Sequence, residues 1–365
     1  MENTAILELK DKAINLLASL IRIPSFSREE DQTADILVSF LDVHGIKSTR
    51  LKNNVFAFNK HFRPELPTIL LNSHHDTVKP NPGYNIDPFT PQIVEGKLYG
   101  LGSNDAGGSL VSLLTTFIYY YHYENLKYNL CFAATAEEEI SGINGIELFI
   151  KEIKNIHPLG DNPEDCAIIG EPTKMNMAVA EKGLVVLDAT SEGKAGHAAR
   201  DEGVNALYKA AKDIMWIQNH QFDKVSDLLG PVKMSVTSIN TDNKAHNVVP
   251  DTCHFTIDVR VNELYTLEAV VEIIQKNIDA TIKPRSLRIR SSHIPDGHIL
   301  IKSGLAMGKT TYGSPTTSDK ALVGMPALKI GPGDSARSHT ADEYIFIHEI
   351  HEAIDDYIYL ISFIQ

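Results

Sequence analysis

Apolar residues recur at helical spacing over residues 5–23 (AILELKDKAINLLASLIRI), and the run stops against Pro24, which predicts an amphipathic helix. A second helix is predicted over 30–44, closed by Gly45. Further on the pattern changes. Short runs with no polar alternation occupy 68–72 (TILLN), 128–134 (YNLCFAA), 166–169 (CAII) and 327–330 (ALKI). Strands buried on both faces have this pattern, because neither face meets water. Helical stretches separate them at 108–123 and 143–156. Alternating strand and helix predict an α/β domain with a mostly parallel, helix-covered sheet.

The middle of the chain obeys a different rule. Residues 184–192, 233–239 and 254–261 alternate apolar and polar, as half-buried strands do, and amphipathic helices are predicted at 206–218 and 267–278. A short strand near 287–289 completes the order β-α-β-β-α-β, a ferredoxin-like α+β pattern of ~100 residues. The pattern therefore predicts one domain over 1–181 and 290–365, with 182–289 inserted as a second domain.

Composition narrows the function. With 34 basic and 47 acidic residues the net charge is −13, so nucleic acid and acidic membrane surfaces are not expected partners. The opening residues MENT lack a basic, apolar leader, and no apolar run approaches the ~18 residues of a membrane span, so a cytoplasmic location is expected. Cys131, Cys166 and Cys253 form no C-x-x-C pair, which argues against a disulfide framework and a thiolate zinc site. A chain of 365 residues buries enough surface to fold without a metal, so any metal here would serve chemistry.

The residues at the ends of the apolar runs are less ordinary. TILLN leads into Ser73-His74-His75-Asp76, CFAATA into Glu137-Glu138-Glu139, CAIIG into Glu171, and ALKIGPGDSARS into His339; the glycine-rich GLGSNDAGG adds Asp105. Each has a bland explanation: a surface histidine, an acidic helix start, an aspartate in a turn. Strand formation gives no reason for all of them together, and the ligand crevice of an open α/β sheet lies beyond the carboxyl ends of its strands. His74, Asp105, Glu139, Glu171 and His339 suit two divalent ions, zinc or a similar metal. Three carboxylates against two cations leave a charge of about +1, which favours a bridging hydroxide and makes one carboxylate a bridge. Glu138 is then left as an uncoordinated general base, and Asp76 is placed to accept the second ring N–H of His74. Rival motifs fail: a dinucleotide fingerprint would need glycine at Asp105, His348-Glu349-Ile350-His351 is one residue short of H-E-x-x-H, and no G-x-S-x-G occurs.

These residues resemble the family that includes acetylornithine deacetylase, succinyl-diaminopimelate desuccinylase, aminoacylase and glutamate carboxypeptidase, in the same order along nearly the whole chain. SHHDT, GLGSNDAGG, TAEEE, GEPT and SHTADE carry the resemblance. It implies His74, Asp105 and Glu171 on one metal, and Asp105, Glu139 and His339 on the other, with Glu138 as base. It also implies that the inserted domain dimerises the protein and forms a lid. GKAGHAAR then makes His197 an oxyanion-stabilising group for the partner's site, HNVVPDTCHFTIDVR makes Asn247 and Arg260 substrate contacts, and SPTTSDK nominates Thr317. Two departures stand out. The family's Gly-Arg-Gly reads Gly100-Leu101-Gly102 here, and position 171 is Glu, which in the family goes with deacylases and carboxypeptidases.

The resemblance implies a homodimeric deacylase with two divalent ions per chain, Zn2+ or Co2+, acting on a small N-acyl amino acid. Acetylornithine or a close relative such as an acylcitrulline, in arginine biosynthesis, is the expected substrate. A carboxypeptidase or desuccinylase is the near alternative. A non-catalytic metal-dependent binding protein is the alternative of another class, and an intact Glu138 argues against it.

Overall fold

The computed structural model describes residues 2–157, 159–200 and 202–365. They divide into two compact units, one comprising residues up to Val179 with Ile294–Tyr312 and Ser318–Gln365, the other Ala180–His293 with Gly313–Thr317. The predicted boundaries at 182 and 289 thus differ from the compact unit by a few residues, and Gly313–Thr317, with Thr317, groups with the inserted unit.

In the first unit, Asn129–Thr135, Thr68–His74, Cys166–Ile169 and Ala327–Lys329 lie side by side in that order, all parallel. Antiparallel strands flank them: Asn54–Phe58 with Thr49–Leu51 on one side, and Met177–Glu181 on the other. The uninterrupted apolar runs have a direct structural cause. Ile69 and Leu71 enter one core with Leu130, Phe132 and Ile168, whereas Leu70 enters a second with Cys131, Ala133 and Ala167. Side chains alternate between two faces, and both faces are dry. The Gly108–Tyr120 helix is buried nearly all round and packs against Glu2–Ile21 and Ile347–Ile364, as expected of an apolar helix at the centre of a core. Ile146–Ile153 covers the opposite face.

The second unit is built on a four-stranded antiparallel sheet, ordered Lys233–Asn240, Thr252–Val261, Gly183–Glu192, Thr281–Pro284. The helices Ala206–Asn219 and Leu267–Asn277 pack on the face formed by Val185, Leu187, Phe255 and Ile257. This is the expected β-α-β-β-α-β order with one correction. The closing strand is Thr281–Pro284, not 287–289. The Asp213 carboxylate accepts the Asp279 and Ala280 N–H groups at 3.1 and 2.8 Å, which turns the chain back into the sheet directly after the helix. Leu287 and Ile289 are apolar because they pack, without pairing as a strand. Among the described residues no helix is long and apolar enough to cross a membrane.

Phe117 is fully buried with its ring 5.9 Å from that of Phe132. Phe117→Ala is expected to cost about 3–5 kcal/mol in denaturant unfolding, the usual range for emptying an aromatic core site. A loss below about 1 kcal/mol would show that the helix does not pack through this ring.

Candidate metal centre

Parallel register assembles the site. His74, the last residue of its strand, is level with Thr135, and Asn72 is level with Ile169. Glu171, two residues beyond Ile169, and the glutamates just beyond Thr135 therefore leave the sheet at the same edge as His74. Asp105 reaches that edge on a turn ahead of the Gly108–Tyr120 helix. Gly102 there has φ +74°, and a Cβ on it would come 2.6 Å from the Thr77 methyl, so the turn requires glycine. His339 comes after a short turn over Ser335–Arg337 and itself has φ +59°.

His74 Nε2 lies 3.5 Å from Asp105 Oδ1 and 3.8 Å from Glu171 Oε1. His339 Nε2 lies 3.0 Å from Glu139 Oε2 and 3.5 Å from Asp105 Oδ2. Two groups of three result, His74–Asp105–Glu171 and Asp105–Glu139–His339, each with donor atoms within 4.8 Å of one another. Asp105 belongs to both.

The hydrogen bonding shows that this donor set fits cations. His74 Nδ1 is 2.9 Å from the Asp76 carbonyl oxygen, which can only accept, so Nδ1 carries the proton. Nε2 is buried, has no hydrogen bond among the described residues, and in the neutral ring directs its lone pair at two carboxylates. A cation or a second proton resolves that repulsion. Burial alone would lower the His74 pKa, yet Asp105 and Asp76, aided by Glu138 and Glu171, hold it well above the ordinary value. The Glu139 hydrogen bond, against partial burial, pushes His339 up to about 9. Neighbouring His75 behaves in the opposite way. Burial pushes it down to about 4, and its nitrogens are engaged by Thr33 Oγ1 and the Asn53 carbonyl.

The three consecutive glutamates part company. Glu137 has φ +57°, is buried, and accepts from the Asn144 side chain at 2.8 Å. Glu139 meets His339. Glu138 belongs to neither group of three among the described residues. Burial raises its carboxyl well above the ordinary range, with Glu171, Asp319 and Glu139 adding to the rise and His74 opposing it. Asp76 holds this turn in place. Its carboxylate accepts the N–H groups of Glu138 and Glu139 at 3.0 and 3.2 Å and the Ser27 hydroxyl at 2.7 Å. The second acceptor expected for His74 is thus mainly the Asp76 backbone carbonyl, with the carboxylate farther away at 3.4 Å.

Three polar residues near the site lie within GLGSNDAGG, SPTTSDK and SHTADE, but the sequence alone assigns them no role. Glu343 is buried and accepts the N–H groups of Gly102, Asn104 and Asp105; burial and the Asp105 charge push it up to about 8. Asn104 bonds both backbone groups of Asp334. Asp319, buried, accepts from Thr135 Oγ1 at 2.8 Å.

The remaining expected site residues lie in the other unit. Gly196–His197 pairs with Val248–Val249, and the Ala198 N–H donates to the Asn247 carbonyl at 2.9 Å, so His197 and Asn247 share one exposed ribbon. Arg260 is elsewhere, on the Thr252–Val261 strand, in a two-pronged ion pair with Asp258 at 2.8 and 3.0 Å. Thr317 is half-buried. His348 is exposed on the C-terminal helix, and Glu349 beside it pairs with Arg337.

Residues 70–362 match the model of peptidase family M20/M25/M40. The chain is 24% identical over 366 residues to succinyl-diaminopimelate desuccinylase 2 of Ruegeria sp. (strain TM1040), covering 92% of this chain and 91% of that one. It is 28% identical over 275 residues to succinyl-diaminopimelate desuccinylase of Buchnera aphidicola, with 72% of each chain covered. Its fold is similar to an M20 family metallo-carboxypeptidase from Sulfolobus solfataricus, with TM-score 0.75, 17% identity, and 96% and 98% of the two chains covered. It is likewise similar to a dinuclear metal binding peptidase of the M20 family from Bacillus subtilis, with TM-score 0.71, 16% identity, and 98% of each chain covered.

The neighbouring carboxylates favour a second proton on both histidines in metal-stripped protein, and that proton must leave before the nitrogen can ligate. Loading with zinc at pH 7 is therefore expected to release at least about two protons per chain, with the His339 share fading above pH 9. Calorimetry in buffers of different ionisation enthalpy measures this. Uptake without proton release would show that neither histidine holds a second proton before the metal arrives.

Proposed function

The chain belongs to peptidase family M20/M25/M40, and from that membership we propose that it hydrolyses the amide bond of a small N-acyl amino acid with the help of two divalent cations. One observation carries this reading: Glu138, a half-buried carboxylate in neither donor group, stands beside two groups that share Asp105. A protein that only bound metal would have no use for it.

His74, Asp105 and Glu171 would hold one cation, and Asp105, Glu139 and His339 the other. When bound, zinc or cobalt supplies Lewis acidity to the scissile carbonyl and acidity to the attacking water. Glu138 takes a proton from that water as its oxygen bonds to the acyl carbon. The same carboxyl then delivers the proton to the departing nitrogen as the C–N bond breaks, leaving a free acid and a free amine. The two positions of one proton account for the whole exchange. Asp76 keeps Glu138 in reach by holding its N–H.

His197 suits the oxyanion. The Ala199 N–H donates to its Nδ1 at 3.1 Å, so Nε2 bears the proton and can donate to a developing negative charge. In a homodimer formed through the inserted unit, that ring would serve the partner's site. Arg260 would hold a substrate carboxylate in competition with Asp258, while Asn247 and Thr317 would contact the substrate. The names of the curated relatives favour a succinyl group on the substrate nitrogen. Acetylornithine remains the reading suggested by the motifs.

Glu138→Gln is expected to keep both ions and lose at least ~10²-fold in kcat, the typical contribution of a positioned proton carrier. Glu139→Gln should instead lose metal. Metal analysis beside turnover separates them, and exchanged phenotypes would shift the base by one residue.

With zinc or cobalt supplied, N-succinyl amino acids should be turned over faster than their N-acetyl counterparts, ornithine and diaminopimelate derivatives included. Turnover of dipeptides alone would replace deacylation with peptidase activity, and turnover of none would favour a binding protein.

A further inference from the structure

Glu343 is 2% exposed, yet among the described residues its carboxylate pairs with no lysine or arginine and is occupied by backbone instead. Oε2 accepts the Gly102 N–H at 3.1 Å, and Oε1 accepts the Asn104 and Asp105 N–H groups, both at 2.9 Å. The Glu343 carbonyl accepts a fourth, from Gly100, at 3.0 Å. One residue thus gathers the turn that ends in Asp105.

Glu343 is also four residues beyond His339. Directly after it, Tyr344–Phe346 pairs with Lys97–Tyr99, the strand that leads into the Asp105 turn. At the other end of the His339 segment, the Asn104 side chain donates to the Asp334 carbonyl at 3.0 Å and to Ser338 Oγ at 3.3 Å, and accepts the Asp334 N–H at 3.0 Å. The Asp105 turn and the His339 segment are therefore fastened together on both sides of His339. Neither ligand lies on a central strand, in contrast to His74 at a strand end and Glu171 two residues past one.

We propose that Glu343 is a positioning residue for the Asp105–Glu139–His339 half of the centre, holding the shared Asp105 carboxylate at the distance from His339 that a second cation requires. The proposal rests on the two-cation reading above. A carboxyl group suits this brace, because its two oxygens together accept three backbone N–H groups of one turn. In Glu343→Gln one oxygen remains for Asn104 and Asp105, but the amide turns a donor towards the Gly102 N–H, and the turn loses its third tie.

Zinc competition against a chromophoric chelator tests this in two backgrounds that each retain one donor group. In Glu171→Gln, where Asp105, Glu139 and His339 remain intact, adding Glu343→Gln should weaken zinc about 10–100-fold, the range for removing an outer partner of a metal ligand. In Glu139→Gln, where the His74 half remains intact, the same addition should change affinity several-fold less. Glu343→Asp, which keeps both carboxyl oxygens as acceptors, should recover part of the loss. Equal effects in the two backgrounds, or none, would overturn the positioning role while leaving the two-cation reading in place. Wild-type protein that takes up no zinc would overturn both. If Glu343→Gln does not fold by circular dichroism, Glu343→Asp is titrated in its place. If neither folds, Glu343 serves the fold rather than the centre, and the proposal fails.

Discussion

Four carboxylates and two imidazoles crowded at one sheet edge repel or compete with one another, and the rest of the catalytic unit is arranged to withstand that. Asp105, Glu139 and Glu171 face the two histidines within 3.0–3.8 Å, with Glu138 beside them. Charges this close, away from water, interact several times more strongly than at a surface. Cations remove the repulsion when bound, but the protein must present the donors beforehand. It does so with backbone and with a second layer of buried acceptors. Asp76 holds the Glu138–Glu139 turn through two N–H groups, and Glu343 holds the Asp105 turn through three.

The supports differ in stiffness. His74 and Glu171 come from neighbouring parallel strands whose residues are buried in two cores at once. Moving either would disturb dense packing on both faces of the sheet. Asp105, Glu139 and His339 sit on turns, and His339 itself has positive φ. One half of the centre is thus held by the core and the other by hydrogen bonds, which makes the second half the one most open to change by substitution around it. His339 is also about half exposed, whereas His74 is 1% exposed, so solvent reaches the two halves unequally.

The inserted unit contributes a different kind of surface. Its helices bury one face of the sheet, and His197 with Asn247 occupies an exposed ribbon separate from that core. Arg260, on the sheet, is neutralised by Asp258 two residues away on the same strand. Side chains two apart on a strand share a face, so this pair is built into the strand. Any anion that binds Arg260 must compete with a partner already at hydrogen-bond distance.

Periodicity along the chain determined the element types and the division into an α/β part and an α+β insertion, because alternation and helical spacing are local consequences of which faces are dry. It also singled out the candidate donor set, because each of these residues comes after an apolar run or within a glycine-rich turn and its residue type is chemically distinctive. The closing strand of the insertion was misplaced because Leu287 and Ile289 are apolar for packing, a distinction periodicity does not make. Glu343, Asn104 and Asp319 stand within the quoted motifs, but their roles were illegible for a related reason. Their partners lie on segments far along the chain, up to 241 residues away for Glu343, and a backbone N–H has the same identity at every position in a sequence. The same holds for Asp76, whose proximity to His74 was legible but whose grip on Glu138 and Glu139 was not. Only the folded chain decides which acceptor meets which amide, since that depends on how the strands are ordered in the sheet and in what register they lie.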